Sequence, residues 1–196
     1  MTSGNFPFRS PKAVPSAYKR KFSRTIALTG KERFFPEDDI IVSKTDLKGT
    51  ITYANNVFLD IASMTEGEAI GAPHSVIRHP DMPRAIFKLM WETIQAGHEI
   101  FAYVVNMAKT GDHYWVFAHI TPTFDDTGKI IGYHSNRRVP DRDALKIIIP
   151  LYAHLKTIED SLPDRARGLE KSTSALQAVL REKGISYDEF IFSLSR

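Results

Sequence analysis

The strongest constraint on the fold is a run of three strand-like segments near the middle of the chain. Residues 99–107, 114–123 and 129–137 are rich in β-branched and aromatic residues, which favour strands. The two connections, residues 109–112 and 125–128, are short, and each contains a glycine, as tight hairpin turns require. The pattern therefore predicts three consecutive antiparallel strands.

A further hairpin is predicted upstream of these strands. Residues 40–42 begin one strand, and residues 50–54 have the β-branched and aromatic bias of a second. Gly49 lies in the turn between them, where it is free to adopt a positive φ. Two strands so close in sequence pair with each other most simply as a hairpin.

Helix signals separate the two groups of strands. Asn55 and Asn56 suit the N-cap of a short helix, and residues 65–68 form a capping box for another. A longer amphipathic helix is predicted from about Pro83 to Ala96. This order predicts an α+β fold with a five-stranded antiparallel sheet and short helices on one face. Such an arrangement leaves a cavity between helices and sheet where a planar ligand could lie.

The sequence divides into three regions, residues 1–36, 37–140 and 141–196. The first is basic and contains four prolines, so we expect a flexible arm; docking on an acidic partner, a membrane surface or nucleic acid is the alternative. The second is the globular domain. The third is a helical extension, in which Pro150 is expected to kink or split the first helix. Ser186 and Glu189 predict a capping box for the last helix.

Composition excludes several classes of function. The chain has no cysteine, which rules out disulfides, thiolate metal sites, thioether-linked haem and cysteinyl-adduct light sensing. A net charge of only +3 gives no reason to expect nucleic-acid binding. No run approaches the roughly 18 to 20 apolar residues that span a bilayer. No secretory signal is evident either, so we expect a cytoplasmic location.

Residues 38–138 resemble the PAS domain of aerotaxis receptors. The resemblance is carried above all by the run Arg78-His79-Pro80-Asp81-Met82-Pro83. Other matching segments are Gly71-Ala72-Pro73-His74, Met90-Trp91-Glu92-Thr93, residues 109–116 and Gly132-Tyr133. The resemblance implies that residues 37–140 form a PAS sensor domain. It further implies FAD held without a covalent bond, read as a redox sensor and reported to a signalling partner protein.

The resemblance also implies a set of cofactor-binding residues. They are Arg78, His79, Asp81, Asn106, His74 and Tyr133. Four positions near Asn106 depart from the family's pattern, and their substitutions predict a more apolar pocket. They are Ile100, Ala102, Val105 and Met107.

The chemistry of these residues is compatible with a ligand site. Arg78 offers a planar fork of donors for a phosphate or a ring carbonyl, with an ion pair to Asp81 as the alternative. The Asn106 amide has both a donor and an acceptor, so it could bind a flavin edge in either protonation state. His74 and His79 can donate or accept near neutral pH. Asp81 is also expected to cap the helix that follows Pro83.

We therefore expect a switch and not an enzyme, because no nucleophile–base motif or Gly-rich phosphate loop is present. Reduction of a bound flavin would shift a strand and bias the docking of the C-terminal helices. One alternative is a haem-binding gas sensor with an axial ligand drawn from His74, His79, His98, His113 and His134. A cofactor-free PAS module that binds proteins or forms a homodimer is another, and a flavoenzyme is a third.

Overall fold

A five-stranded antiparallel sheet forms the centre of the molecule in the computed structural model, which describes residues 26–194. Its strands are β1 (Ile41–Thr45), β2 (Ile51–Ala54), β3 (Ile100–Met107), β4 (His113–Phe124) and β5 (Ile130–Arg138). Their order across the sheet is β2-β1-β5-β4-β3, so the first hairpin joins the last three strands through the β1–β5 pair. The predicted fold class is confirmed.

Helices occupy two stretches of the chain. Between β2 and β3 lie α1 (Asn56–Ala62), α2 (Glu66–Ala69), a 3₁₀ helix (His74–Ile77) and α3 (Arg84–Gln95). After β5 come α4 (Arg142–Asp160), α5 (Arg165–Lys183) and α6 (Tyr187–Ser193). No helix within residues 26–194 combines the length and the apolar character needed to cross a bilayer.

Short-range capping signals form as the sequence predicts. The Asn55 side chain accepts the Phe58 N–H at 3.0 Å and begins α1. Thr65 and Glu68 form the capping box of α2, and the box that begins α6 is also present. Each of these motifs satisfies backbone N–H groups that a helix leaves without a partner at its first turn.

The start of α3 differs from the prediction that Asp81 caps it. Pro83 occupies the N-cap position and makes no side-chain hydrogen bond, while the Asp81 side chain is 77% exposed. The carboxylate of Glu159, near the end of α4, accepts the N–H groups of Arg84 at 3.0 Å and Ala85 at 2.9 Å. A residue 75 positions away therefore caps α3, and the local prediction was wrong.

Pro150 does not split the first C-terminal helix. Helix α4 runs unbroken from Arg142 to Asp160 with Pro150 inside it. The proline removes the N–H that would bond to the carbonyl of Lys146. Both residues lie on the exposed side of α4, so water can hydrogen-bond to that carbonyl and the helix continues.

The end of the expected flexible arm is docked on the domain. Thr29 N–H donates to the Gly111 carbonyl at 3.0 Å, and Arg33 N–H donates to the His113 carbonyl at 2.7 Å. A Cβ added at Gly111 would lie 2.0 Å from the Ala27 carbonyl oxygen, so only glycine allows this close approach. Residues 26–36 thus differ from the expectation, and residues 1–25 lie outside the described part of the chain.

The two faces of the sheet have different neighbours. Alternate residues such as Val104 and Asn106 face α3 and the 3₁₀ helix, where the cavity lies. The residues between them face the C-terminal helices: the Tyr152 hydroxyl of α4 donates to the Tyr103 carbonyl at 2.8 Å. The ring of Phe101 lies 4.8 Å from the Phe192 ring, centroid to centroid, near the end of α6. The C-terminal region is therefore packed against the domain.

Candidate functional site

A cavity of about 470 Å³ lies between the inner face of the sheet and the segment formed by the 3₁₀ helix and α3. This volume falls within the range of about 300–1,000 Å³ typical of small-molecule sites. Apolar side chains form much of its wall: Phe87, Met90, Trp91, Ile94, Val104, Ala118, Ile120 and Leu169. Leu169 belongs to α5, so the C-terminal region contributes to the cavity as well.

The polar part of the wall is cationic. Its charged residues are Lys48, Arg78, Arg84, Lys88 and Arg137, with His74 and His134 beside them. None of the described residues that line the cavity is an aspartate or a glutamate. Such a wall favours a ligand that is anionic or rich in hydrogen-bond acceptors.

Arg78 lies where the 3₁₀ helix ends, at the helix side of the cavity. Its guanidinium is 4.0 Å from the centre of the Phe87 ring, and its backbone forms a bridge to Asn106 on β3. Burial lowers the pKa of Arg78 from its ordinary value. The alternative, an ion pair with Asp81, is not formed within residues 26–194; the guanidinium is stacked on an aromatic ring, and Arg78 lines the cavity.

Arg137 lies on β5 and is only 3% exposed. Its Nη2 donates to His74 Nε2 at 2.6 Å and to Ser43 Oγ at 2.9 Å. Burial, followed by the positive charge of Arg137, lowers the pKa of His74 to about 3, so the imidazole is a neutral acceptor. Burial also lowers the pKa of Arg137 to about 10, which keeps the guanidinium charged at neutral pH.

Several buried polar atoms at the sheet side of the cavity have no hydrogen-bond partner within residues 26–194. They are Asn106 Nδ2, Ser135 Oγ and Arg137 Nη1, together with the nearby Tyr114 Oη. The first three belong to residues that line the cavity. Buried polar groups in proteins are almost always paired, so a cluster of this kind fits a site whose ligand supplies the acceptors.

Tyr133 lies on the same strand and face as Arg137. Its ring meets the Trp91 ring edge to face, with centroids 5.5 Å apart, and both residues line the cavity. Burial raises the pKa of Tyr133. The Trp91 indole also lies next to Gly49, where an added Cβ would lie 3.2 Å from two indole carbons. Trp91 is thus held between β5 and the turn of the first hairpin.

His79 and Asp81 do not line the cavity. The His79 ring accepts the Asp81 N–H at 3.2 Å through Nδ1, and it packs edge to face against His113 with ring centroids 5.8 Å apart. Burial lowers the pKa of His79. These contacts hold the loop between the 3₁₀ helix and α3. The structure therefore brings His74, Arg78, Asn106 and Tyr133 together at the cavity and leaves His79 and Asp81 outside it.

The four family substitutions near Asn106 do not make the cavity more apolar, because none of them is part of its wall. Strand alternation places Val105 and Met107 on the opposite face from Asn106. Ile100 and Ala102 are buried but also lie outside the cavity lining.

Sequence reasoning missed Arg137, the most buried cation of the site. Strand alternation could have found it, since Tyr133, Ser135 and Arg137 are spaced by two and must share one face of β5. The contributions of Arg84 and Leu169 had no local signal, because the contacts that place them depend on the docking of α4 and α5.

Comparison with known proteins finds similar sequences and a similar fold for this part of the chain. Residues 51–137 match the family model described as PAS fold. The aerotaxis receptor of Escherichia coli is 41% identical over 119 residues, which are 61% of this chain and 23% of that protein. The nitrogen fixation regulatory protein of Klebsiella pneumoniae is 26% identical over 99 residues, or 50% of this chain and 20% of that protein. The chain thus spans about a quarter of these relatives' length or less.

A solved structure supports the fold independently. The dark structure of the blue-light photoreceptor Aureochrome1 LOV superposes with a TM-score of 0.50 at 21% identity, covering 56% of this chain and 82% of the other. The family match over residues 51–137 includes the strands from β2 to β5 and the helices between β2 and β3. The described sheet and helices therefore have a PAS fold, and this part of the chain is similar in sequence to the aerotaxis receptor.

Proposed function

We propose that this chain is a PAS-type signal sensor that binds FAD without a covalent bond and reports its redox state to a partner protein. The observation that carries the proposal is the cavity, which has a cationic wall, no carboxylate in the described lining and buried donors without acceptors. The similarity to an aerotaxis receptor supports a role in signalling.

The residues of the cavity are suited to a flavin. A flavin supplies a ring that takes up electrons and protons, with acceptor atoms along its polar edge. Donors at Asn106, Ser135 and Arg137 complement such an edge, and the apolar wall around Trp91 complements the flat faces of the ring. Cations such as Arg78 would bind the phosphate groups that join the ring to adenosine.

Two contacts connect the cavity wall to helix α4. Strand β3 bears Asn106 on its inner face and accepts the Tyr152 hydroxyl at the Tyr103 carbonyl. Arg84 lines the cavity and donates from Nε to Glu159 at 3.0 Å. A change in the charge of the ring would act on Asn106 and Arg84, and through them on the packing of α4. This route makes the C-terminal helices the part that a partner recognises.

An absorption spectrum of the purified chain, before and after addition of dithionite, tests the proposal. We expect visible flavin bands that dithionite bleaches, and FAD as the molecule released on denaturation. A Soret band would support the haem-binding gas sensor instead. A colourless protein that takes up no added FAD would refute the proposal and favour a cofactor-free module for protein interaction or homodimer formation.

Two asparagines provide a matched pair of variants. Asn106→Ala removes the amide from the cavity wall, and we expect at least a tenfold loss of FAD affinity, the size of one or two lost hydrogen bonds in a buried site. Asn56→Ala removes an exposed amide at the start of α1, outside the cavity lining, and it should leave affinity unchanged. Equal affinities of the two variants would contradict the assignment of Asn106.

The histidine geometry favours flavin over haem. His74 Nε2 already contacts Arg137 and Ser43, and His134 Nε2 contacts Asn136 Oδ1 at 2.9 Å. The remaining candidate ligands, His79, His98 and His113, lie outside the cavity lining. An axial ligand would have to give up one of these contacts.

The proposal describes a sensor and not an enzyme. The described lining of the cavity contains no carboxylate that could act as a general base. Steady oxidation of NADH by the flavin-loaded protein would overturn this part of the proposal and favour a flavoenzyme.

A further inference from the structure

The charge of Arg137 is unusual for a buried group, because no acid within residues 26–194 compensates it. Four side chains face its guanidinium: Ser43 on β1, Phe58 on α1, His74 on the 3₁₀ helix and Tyr114 on β4. None of these is an aspartate or a glutamate. Burying a cation without an anion costs free energy that the fold must recover elsewhere.

The fold provides Arg137 with only part of the contacts that a guanidinium needs. Nη2 contacts Ser43 Oγ and His74 Nε2, both of which are neutral, whereas Nη1 has no acceptor within residues 26–194. Ser135, two residues earlier on the same face of β5, also has a buried hydroxyl oxygen without a partner. Both residues line the cavity, so the two groups lie in its wall or directly behind it.

We propose that Arg137 and Ser135 form an anion-binding subsite at the sheet side of the cavity, which stabilises the negatively charged, reduced form of the bound ring. The inference rests on the flavin function proposed above. Two electrons from an external reductant and one proton from water give a reduced ring with one negative charge. A second proton would make it neutral, and a guanidinium in the cavity wall opposes that second protonation.

The redox potential of the flavin-loaded 196-residue chain, measured against dithionite between pH 6 and pH 9, tests the subsite. With Arg137 present, we expect one proton for every two electrons over most of this range. In Arg137→Gln the pH below which the second proton binds should rise, so the steeper dependence of two protons per two electrons should extend to higher pH than in the wild type. Binding of the reduced form relative to the oxidised form should weaken by about tenfold to a hundredfold, as expected for one hydrogen bond to a charged group.

Two further variants control this measurement. Arg138→Gln changes the exposed neighbour of Arg137 and should leave the potential unchanged. Arg137→Lys keeps the positive charge without the planar fork, and it should restore most of the wild-type potential. A redox potential that is the same in Arg137→Gln as in the wild type would overturn the inference. This includes the case in which the substitution weakens the binding of the oxidised and the reduced flavin equally.

Unfolding of the flavin-free protein separates this inference from the flavin proposal. If Arg137 is present for an anionic ligand, Arg137→Met should be at least as stable as the wild type without flavin, because a buried, uncompensated charge is lost. A clear loss of stability would identify Arg137 as a structural residue and overturn the subsite. A wild-type chain that binds no flavin would refute the proposed function, and the unfolding comparison would still decide the role of Arg137.

Discussion

Two buried charges in this molecule differ in the partners that surround them. The Glu159 carboxylate, at the junction between α4 and α3, is fully buried and accepts hydrogen bonds from Arg84 N, Arg84 Nε and Ala85 N. The Arg137 guanidinium, at the cavity, is just as inaccessible, yet it contacts only neutral groups and keeps a free Nη1 within the described part of the chain.

The difference separates a structural charge from one available to a ligand. Glu159 is compensated by a cation and by the positive end of α3, so it stabilises the docking of the C-terminal helices. Arg137 has no such compensation among the described residues, so its charge is available to whatever occupies the cavity. Destabilising features retained in a fold are frequent at functional sites, where they serve binding rather than stability.

The largest effect is expected from Glu159→Ala. The substitution leaves Arg84 without its anion and α3 without its cap, and breaking a buried pair in this way costs about 3–5 kcal/mol of the free energy of unfolding. Urea unfolding followed by tryptophan fluorescence measures the loss. Asp160→Ala is the control, because its exposed ion pair with Lys156 contributes only about 0.3–0.5 kcal/mol. Comparable losses in both variants would contradict the conclusion that the buried Glu159 carboxylate stabilises the junction more than an exposed ion pair does.

Gly168→Ala examines how tightly the same junction is packed. A Cβ at this position of α5 would lie 2.6 Å from the Glu159 carbonyl oxygen, so the two helices must separate. We expect a loss of about 1–3 kcal/mol in the free energy of unfolding, typical of overpacking. At Gly67 in α2 an added Cβ meets no atom within 4 Å, so Gly67→Ala should stabilise the protein by a fraction of a kcal/mol. Destabilisation by both variants would contradict the packing argument.

The neutral imidazole beside Arg137 predicts a dependence of stability on pH. His74 has a pKa lowered to about 3 by burial and by Arg137, whereas in the unfolded chain it titrates at about 6.5. Below pH 6.5 the unfolded state therefore binds one proton more than the folded state. Stability is complete above that pH and falls by about 1.4 kcal/mol for each further unit of acidification.

Removing the imidazole isolates this contribution, since His79 shifts in the same direction. His74→Asn should reduce the slope of unfolding free energy against pH between pH 6.5 and pH 5, measured by denaturant titration at each pH. His98→Asn, at an exposed position, should leave the slope as in the wild type. An unchanged slope in His74→Asn would mean that the imidazole accepts a proton in the folded protein.

The smallest effect is expected at the surface. Arg142 on α4 donates from Nη1 and Nη2 to Glu32 at 2.6 Å and 3.0 Å, and its side chain is 53% exposed. Because water screens such a pair, Arg142→Gln should cost less than about 1 kcal/mol of unfolding free energy. A loss as large as that of Glu159→Ala would show that solvent exposure does not determine how much each of these two ion pairs contributes to the free energy of unfolding. Hydrogen exchange at the Arg33 amide would report whether the docked segment of residues 26–36 loosens.

Much of the fold was predictable because its signals are local. Strand alternation, glycine turns and capping boxes act over two to four residues, and the Asn55 cap and the box from Thr65 to Glu68 formed as expected. The cap of α3 was not predictable, since Glu159 lies 75 residues from Arg84 and nothing near Pro83 points to it. The contribution of Leu169 on α5 to the cavity wall was not predictable either, because it also depends on contacts between residues far apart in the sequence.

The site was predicted in part for the same reason. Arg78, Asn106, His74 and Tyr133 line the cavity, and the spacing on β5 carried enough information to add Arg137. Strand alternation cannot predict whether a buried side chain has an ion-pair partner. Arg137 has no acid beside it in the part of the chain that the structure describes, because its neighbours come from β1, α1, the 3₁₀ helix and β4, which meet only in the folded molecule.

Leu169 links the C-terminal helices to the lifetime of any occupant of the cavity. Since this residue of α5 forms part of the wall, the rate at which a molecule escapes depends on how often α5 lifts from α3. One contact between α5 and α3 is the hydrogen bond from Arg84 Nη1 to the Arg165 carbonyl at 2.8 Å. Displacement of α5 would therefore shorten the residence time of a molecule in the cavity.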